Sequence, residues 1–205
     1  MGLRNKLQLV PLHEEHSLFT LVENRTAYTL DKCELNVFET HRQAANVNLV
    51  FNDWVLTSML RGKKIMHLPE RAAFEYLPGE SVVVPPNETM KIDFPEAQHS
   101  NPTQCIALAI SGEQIQSTIH LLNEHFPRIE STDTWQLEAQ YSHLTNSREL
   151  TDILDRFIRV SLNDQTREKD MLADLMLREL LIRLMQTQAR YLFEANYRQL
   201  AAGNR

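Results

Sequence analysis

From Asn48 to Leu68 the chain reads NLVFNDWVLTSMLRGKKIMHL, and from Phe74 to Pro86 it reads FEYLPGESVVVPP. Short apolar runs there are separated by residues that dictate reversal. Gly62-Lys63 interrupts two strand-like runs, and glycine reaches the positive φ that a tight hairpin needs, so a hairpin is expected at that point. In the second stretch Pro78 presets φ for the first corner of a turn and Gly79 takes the second, which is the type II pattern. Ser81 to Val84 then leaves as an apolar run until Pro85 and Pro86 stop it. ETMKIDFP follows, with Met90, Ile92 and Phe94 on one face and Thr89, Lys91 and Asp93 on the other, the alternation of a half-buried strand.

Outward from this region the same pattern extends over YTL, CELNVFET, VNLVF, WVLTSML, KIMHL, FEYL, SVVV, TMKIDF and TQCIALAI. Short strands at this spacing, joined by Gly and Pro turns, predict a sandwich or barrel between residues 27 and 110. Residues 1–26 mix charged and apolar side chains without a period and read as an arm. At Ser111 the period changes from two to about 3.6. Ser111-x-x-Gln114 has the spacing of a capping box, opening a helix with Ile115, Ile119, Leu122 and Phe126 on its apolar side and ending before Pro127. Asn146-x-x-Glu149 has cap spacing again, ahead of a stripe formed by Leu150, Ile153, Leu154, Phe157 and Ile158. Helices are expected at about 111–125, 147–162 and 168–193 in a helical region of residues 111–205. The fold class is α+β.

The third helix carries Leu172, Leu175, Met176, Leu177, Leu180, Leu181, Leu184 and Met185, more than one stripe holds. That surface needs a second cover, either another face of the same domain or another copy of the chain.

Composition narrows the functional classes. The chain has 205 residues, enough to bury about 70% of the surface its unfolded form exposes. Its 27 Asp plus Glu outnumber 21 Lys plus Arg, and the basic residues are scattered, so it lacks the concentrated basic face that grips phosphates. The N-terminus has no signal-peptide core and no segment reaches the roughly 20 apolar residues of a membrane span, which points to a cytoplasmic protein with no membrane partner. Cys33 and Cys105 belong to no Cys-x-x-Cys pair and read as reduced, buried thiols. Neither the Rossmann nor the P-loop glycine fingerprint occurs, and no Gly-x-Ser-x-Gly elbow is present.

Eight histidines raise the question of a metal. There is no His-x-His, and the strand-region candidates are His67 with Glu70 and the distant His41 and His99; Pro69 disfavours placing His67 and Glu70 on one regular strand. His13 and His16 fall in the arm, and His120 and His125 are five apart, on different helix faces. No metal or cofactor is expected. A barrel of mixed apolar and polar strands can instead hold a small ligand, and Phe38, Trp54, His67, Tyr76 and Met90 are the candidate pocket residues, being large or polar side chains within the strand region.

The runs LRGKKIMHL, FEYLPGESVVVPPNETMKIDFPEA and PTQCIALAI, taken in order, resemble the N-terminal effector-sensing domain of AraC-type transcriptional regulators over roughly Leu35 to Phe193. The resemblance implies a cupin-like antiparallel β-barrel (a double-stranded β-helix) followed by a helical dimerisation region. It implies a homodimer, for which Leu177, Leu181, Leu184 and Met185 are the candidate interface, and a small-molecule effector. DNA would be contacted only through a basic helix-turn-helix module after the last helix, so the stretch Ala201–Arg205 is expected to be the linker into that module. A metal-dependent cupin enzyme acting on a small sugar or aromatic substrate is the alternative that the barrel leaves open.

Overall fold

A computed structural model describes residues 5–9, 23–69, 72–127, 134–137, 142–163 and 167–203, with side chains of the last helix as far as Gln188. Among these residues ten strands and three helices follow in the order β1 (Glu23–Thr29), β2 (Cys33–Thr40), β3 (Ala44–Leu49), β4 (Trp54–Arg61), β5 (Lys64–His67), β6 (Phe74–Tyr76), β7 (Glu80–Val84), β8 (Met90–Phe94), β9 (Thr103–Ile110), α1 (Gly112–His125), β10 (Ser142–Thr145), α2 (Arg148–Asn163) and α3 (Lys169–Gly203).

Two antiparallel sheets face each other. The larger has the order β1-β2-β9-β4-β7-β10 and the smaller β3-β8-β5-β6. From β2 to β9 the chain switches between the sheets so that two Greek keys interlock, which is the double-stranded β-helix. This order corrects the local reading of the turns. Gly62 does adopt φ +78 and Gly79 φ +88. Yet β4 pairs with β7 and β9, whereas β5 pairs with β6 and β8. The Gly62 turn is a corner between sheets and not a hairpin. Pro78-Gly79 closes its turn through Glu80 N–H to Leu77 C=O at 3.1 Å and likewise carries the chain from one sheet to the other. A tight reversal has the same chemistry in both settings; partners distant in sequence decide which it becomes.

Alternation then divides the interior into two cores. Leu35 and Val37 of β2, Leu56 of β4, and Ile106 and Leu108 of β9 point away from the lumen and pack beneath the helices. Phe38, Met59 and Cys105 point inward, towards Met66, Met90, Ile92 and Phe94 of the smaller sheet. The molecule is therefore a helical layer on a sheet, with a second sheet beyond.

The helices bury the stripes their periods define. Leu150, Ile153, Leu154, Phe157 and Ile158 of α2 are all buried. On α1, Ile115 and Leu122 are buried, whereas Phe126, just past its C-terminus, is 64% exposed. Ser111 caps α1 by accepting from Gln114 N–H at 3.3 Å. For α2 the cap is Ser147, whose Oγ accepts from Leu150 N–H at 3.2 Å, and not Asn146. Asn146 is buried and its Oδ1 accepts from Ser81 Oγ at 2.6 Å.

Other boundaries differ from the expectation. β1 begins at Glu23, inside the segment read as an arm, and β10 adds a strand within the segment read as helical, pairing antiparallel with β7. The four residues SHLT of β10 carry little strand propensity of their own; the open edge of β7 supplies their partners. No helix among the described residues is long and apolar enough to cross a membrane.

Candidate functional site

The candidate site is the lumen between the sheets. Inward parity of the strands brings Phe38, Thr57, Lys64, Tyr76, Met90 and Cys105 to its wall, with Met66 and Ile92 beside them. Three of the five residues singled out from sequence, Phe38, Tyr76 and Met90, are thus in the lumen wall. Trp54 is not. It lies at an outward position of β4 and packs against the helix-side core. His67 is also outside, because Lys64 and Met66 take the inward positions of β5 and leave Ile65 and His67 on the outer face. There His67 Nε2 meets Asp93 Oδ2 at 2.7 Å. Asp93 Oδ1 accepts from Asn46 N–H at 2.7 Å, and these two bonds, the backbone one foremost, hold its carboxyl below the usual range.

The lumen is closely filled. Roughly 10 Å³ admits the centre of a water molecule, room for about one water. Tyr76 is fully buried and its hydroxyl lies 3.1 Å from Thr57 Oγ1. Burial raises its pKa well above the ordinary tyrosine value, so it stays neutral.

The residue that sequence reasoning passed over is Lys64. Its side chain is 4% exposed, its Nζ donates to Cys105 Sγ at 2.9 Å, lies 3.5 Å from Glu23 Oε1 and stands 5.0 Å from the centroid of the Phe94 ring. Burial disfavours its charge, but Cys105 and Glu23 outweigh that and hold its pKa above the usual lysine value. Burial conversely raises the Cys105 thiol against the pull of Lys64, leaving it protonated at neutral pH. The signal was present in KIMH, where Lys64 shares parity with Met66, but a lysine is ordinarily assigned to solvent.

A second contact zone joins the barrel to the helices. His143 of β10 stacks on Phe74, with centroids 4.4 Å apart, and its Nε2 lies 3.2 Å from Glu80 Oε2. Ser81 Oγ also contacts Ser58 Oγ, extending the buried chain that ends on Asn146.

Leu177, Leu181, Leu184 and Met185, the candidate interface, are 0%, 1%, 1% and 3% exposed within a single chain. The outer face of the larger sheet needs an apolar cover, and α3 supplies it with these side chains, so they are core and not interface. The excess apolar surface of α3 lies instead at Met171, Leu172 and Leu175, exposed by 61%, 38% and 58%. Together with Arg156, Arg159 and Val160 of α2, and Met176 and Glu179, the two leucines line an open concavity.

Of the metal candidates, His41 Nε2 lies 3.3 Å from Glu39 Oε2, and its ring is 5.7 Å from that of His99. Among the described residues no group of three or more His, Cys, Asp or Glu is placed to hold a metal ion. His13, His16 and Glu70 lie outside the described residues.

No curated protein matches the sequence. The family model described as "AraC-type transcriptional regulator N-terminus" matches residues 33–191. Among solved structures, an apo point variant of ToxT from Vibrio cholerae superposes with a TM-score of 0.57 at 10% identity, over 76% of this chain and 56% of that one. Wild-type Vibrio cholerae ToxT bound to an unsaturated fatty acid gives 0.55 at 10% identity, over 78% and 56%. ToxT from the same organism bound to (E)-4-(8-methylnaphthalen-1-yl)but-3-enoic acid gives 0.51 at 11% identity, over 76% and 57%. The chain spans little more than half the length of these proteins.

Proposed function

The chain belongs to the N-terminal domain family of AraC-type transcriptional regulators, and from that premise we propose that its ligand-sensing function resides in the barrel lumen. A small-molecule effector enters between the sheets, and the change is passed to a helix-turn-helix module elsewhere in the regulator. The observation that carries this reading is Tyr76, a lumen residue whose ring also meets His143 on β10, the strand that leads into α2. A ligand that moves Tyr76 acts on the helical layer directly.

The assembly we propose is a homodimer through the concavity between α2 and α3, where Leu172 and Leu175 of each copy find an apolar cover. DNA is a partner of the whole regulator; the net charge of -6 on this chain argues against direct contact with phosphates.

A thermal-shift screen of sugars, aromatic compounds and aliphatic compounds tests the sensing site. A ligand of the native lumen at a hundredfold excess over its Kd adds about 2.7 kcal/mol of stability. Phe38→Ala should reduce that response, and Trp54→Ala should leave it intact because Trp54 is on the other side of the sheet. Ligands that respond to Trp54→Ala and ignore Phe38→Ala would place the sensing site outside the lumen.

A further inference from the structure

The Lys64 ammonium stands inside a lumen whose other polar groups are the Thr57 and Tyr76 hydroxyls, bonded to each other, and the Cys105 thiol, and its own hydrogen bonding is incomplete. The Lys64 partner Cys105 is a neutral thiol, a weak acceptor. Its charge partner Glu23 is 3.5 Å away, and the Glu23 Oε1 that faces it makes no hydrogen bond. Buried ion pairs favour folding only when geometry and hydrogen bonding are complete, and this pair falls short.

Register supplies a second feature at the same end of the barrel. Glu23 of β1 lies opposite Thr40 of β2, and Thr40 lies opposite Thr103 of β9. Cross-strand partners project to one face, and two residues along, Phe38 and Cys105 are also opposite one another and line the lumen. Glu23, Thr40 and Thr103 therefore form a row on the lumen face. The Thr40 and Thr103 hydroxyls are buried and have no hydrogen-bond partner. A buried ammonium and two idle hydroxyl donors at one end of the lumen make up a donor set that a carboxylate accepts, and charge-assisted bonds of that kind are the strong ones.

We propose that this end of the lumen is a carboxylate-binding site for an apolar small molecule, and that Glu23 fills the carboxylate position in the ligand-free chain. The inference rests on the lumen being the sensing site. The class is set by charge: one lysine balances one carboxylate, whereas a phosphate monoester brings close to two negative charges. Because the lumen has room for about one water, the ligand enters by displacing Glu23 from Lys64, and with it the first residue of β1. The alkyl or aryl part of the ligand takes the space that Met66 and Met90, unbranched and adaptable, yield to it.

The test uses the whole chain and three probes, octanoate, octan-1-ol and octyl phosphate, read by calorimetry and thermal shift. Octanoate should bind more tightly than either of the others. If Glu23 occupies the site in about nine molecules of ten, Glu23→Gln should tighten octanoate about tenfold. Lys64→Met should abolish octanoate binding, but it strands a buried carboxylate, so Lys64→Met combined with Glu23→Gln is the second variant; it should fold, bind octan-1-ol and ignore octanoate. Octan-1-ol or octyl phosphate binding as well as octanoate overturns the carboxylate assignment while leaving the lumen as a small-molecule site. Unchanged octanoate affinity in Glu23→Gln overturns the role given to Glu23. Failure of octanoate and octan-1-ol alike, in wild type and in Glu23→Gln, overturns the proposal and counts against the lumen reading itself, since octan-1-ol needs no anion site.

Discussion

The ring of Tyr76 meets the imidazole of His143 edge-on, with centroids 6.2 Å apart, while its hydroxyl reaches Thr57 inside the barrel. One side chain thus touches both the lumen and the strand that leads to α2.

A double-mutant cycle measures that link. Tyr76→Leu and His143→Ala should each destabilise the chain, and together by less than the sum, with a coupling of about 0.5–1.5 kcal/mol in urea denaturation. Tyr76→Phe keeps the ring contact and removes the hydroxyl with its bond to Thr57, so it should cost about 1 kcal/mol. Strict additivity of the first pair would mean that the ring contact conveys nothing to β10.

Two pairs of leucines on α3 should behave oppositely. Leu181 and Leu184 are core, and truncating such residues to alanine costs about 2–5 kcal/mol each; replacing both by Glu should therefore unfold or aggregate the chain, as followed by circular dichroism. Leu172→Glu with Leu175→Glu should leave a folded protein that sediments as a monomer, whereas the wild type should sediment as a dimer. A soluble, folded Leu181→Glu, Leu184→Glu variant would return the interface to those positions.

Gly62 is required at its corner on two counts. Its φ is +78, and a Cβ there would sit 2.7 Å from Thr103 Oγ1 and 3.1 Å from Thr103 Cα, the latter a backbone atom with little freedom to move. Gly62→Ala should cost about 1–3 kcal/mol, seen as a lower denaturant midpoint. No loss of stability would show that the corner tolerates a side chain by rearranging β9.

The Cys33 thiol is pushed up to about 12, chiefly by burial and then by Asp170 and Asp174. The unfolded thiol ionises near pH 8.5. A group whose pKa is raised on folding gives stability that is complete below the unfolded pKa and is lost as pH rises towards the folded one. Denaturant midpoints of the wild type should therefore fall between about pH 8.5 and pH 12, and Cys33→Ala should flatten that decline relative to its own value at pH 7. Equal slopes for the two proteins would remove Cys33 from the alkaline limb.

Period alone made most elements legible. The strand from Met90 to Phe94 alternates because one face is buried, and the stripe from Leu150 to Ile158 recurs at helical spacing for the same reason. Ser111 announced α1 because its side chain bonds a neighbour three residues away, a local event. Part of the lumen followed too: Phe38, Tyr76 and Met90 are large side chains at inward positions.

By itself the sequence determined that there are short strands followed by helices, that turns occur at Gly62 and Gly79, and that α3 carries more apolar surface than one stripe accounts for. All of these are consequences of interactions within a few residues of chain. Tertiary structure decided the rest. Whether Gly62 makes a hairpin or a corner depends on β7, β8 and β9, which lie far along the chain. Whether Trp54 and His67 face the lumen depends on a strand register that one residue inverts. Leu177, Leu181, Leu184 and Met185 are core because the outer face of the larger sheet is there to receive them, and Lys64 is buried because Met66, two residues on, had to be. Burial of a side chain belongs to what surrounds it, and no local spacing encodes which distant strand that will be.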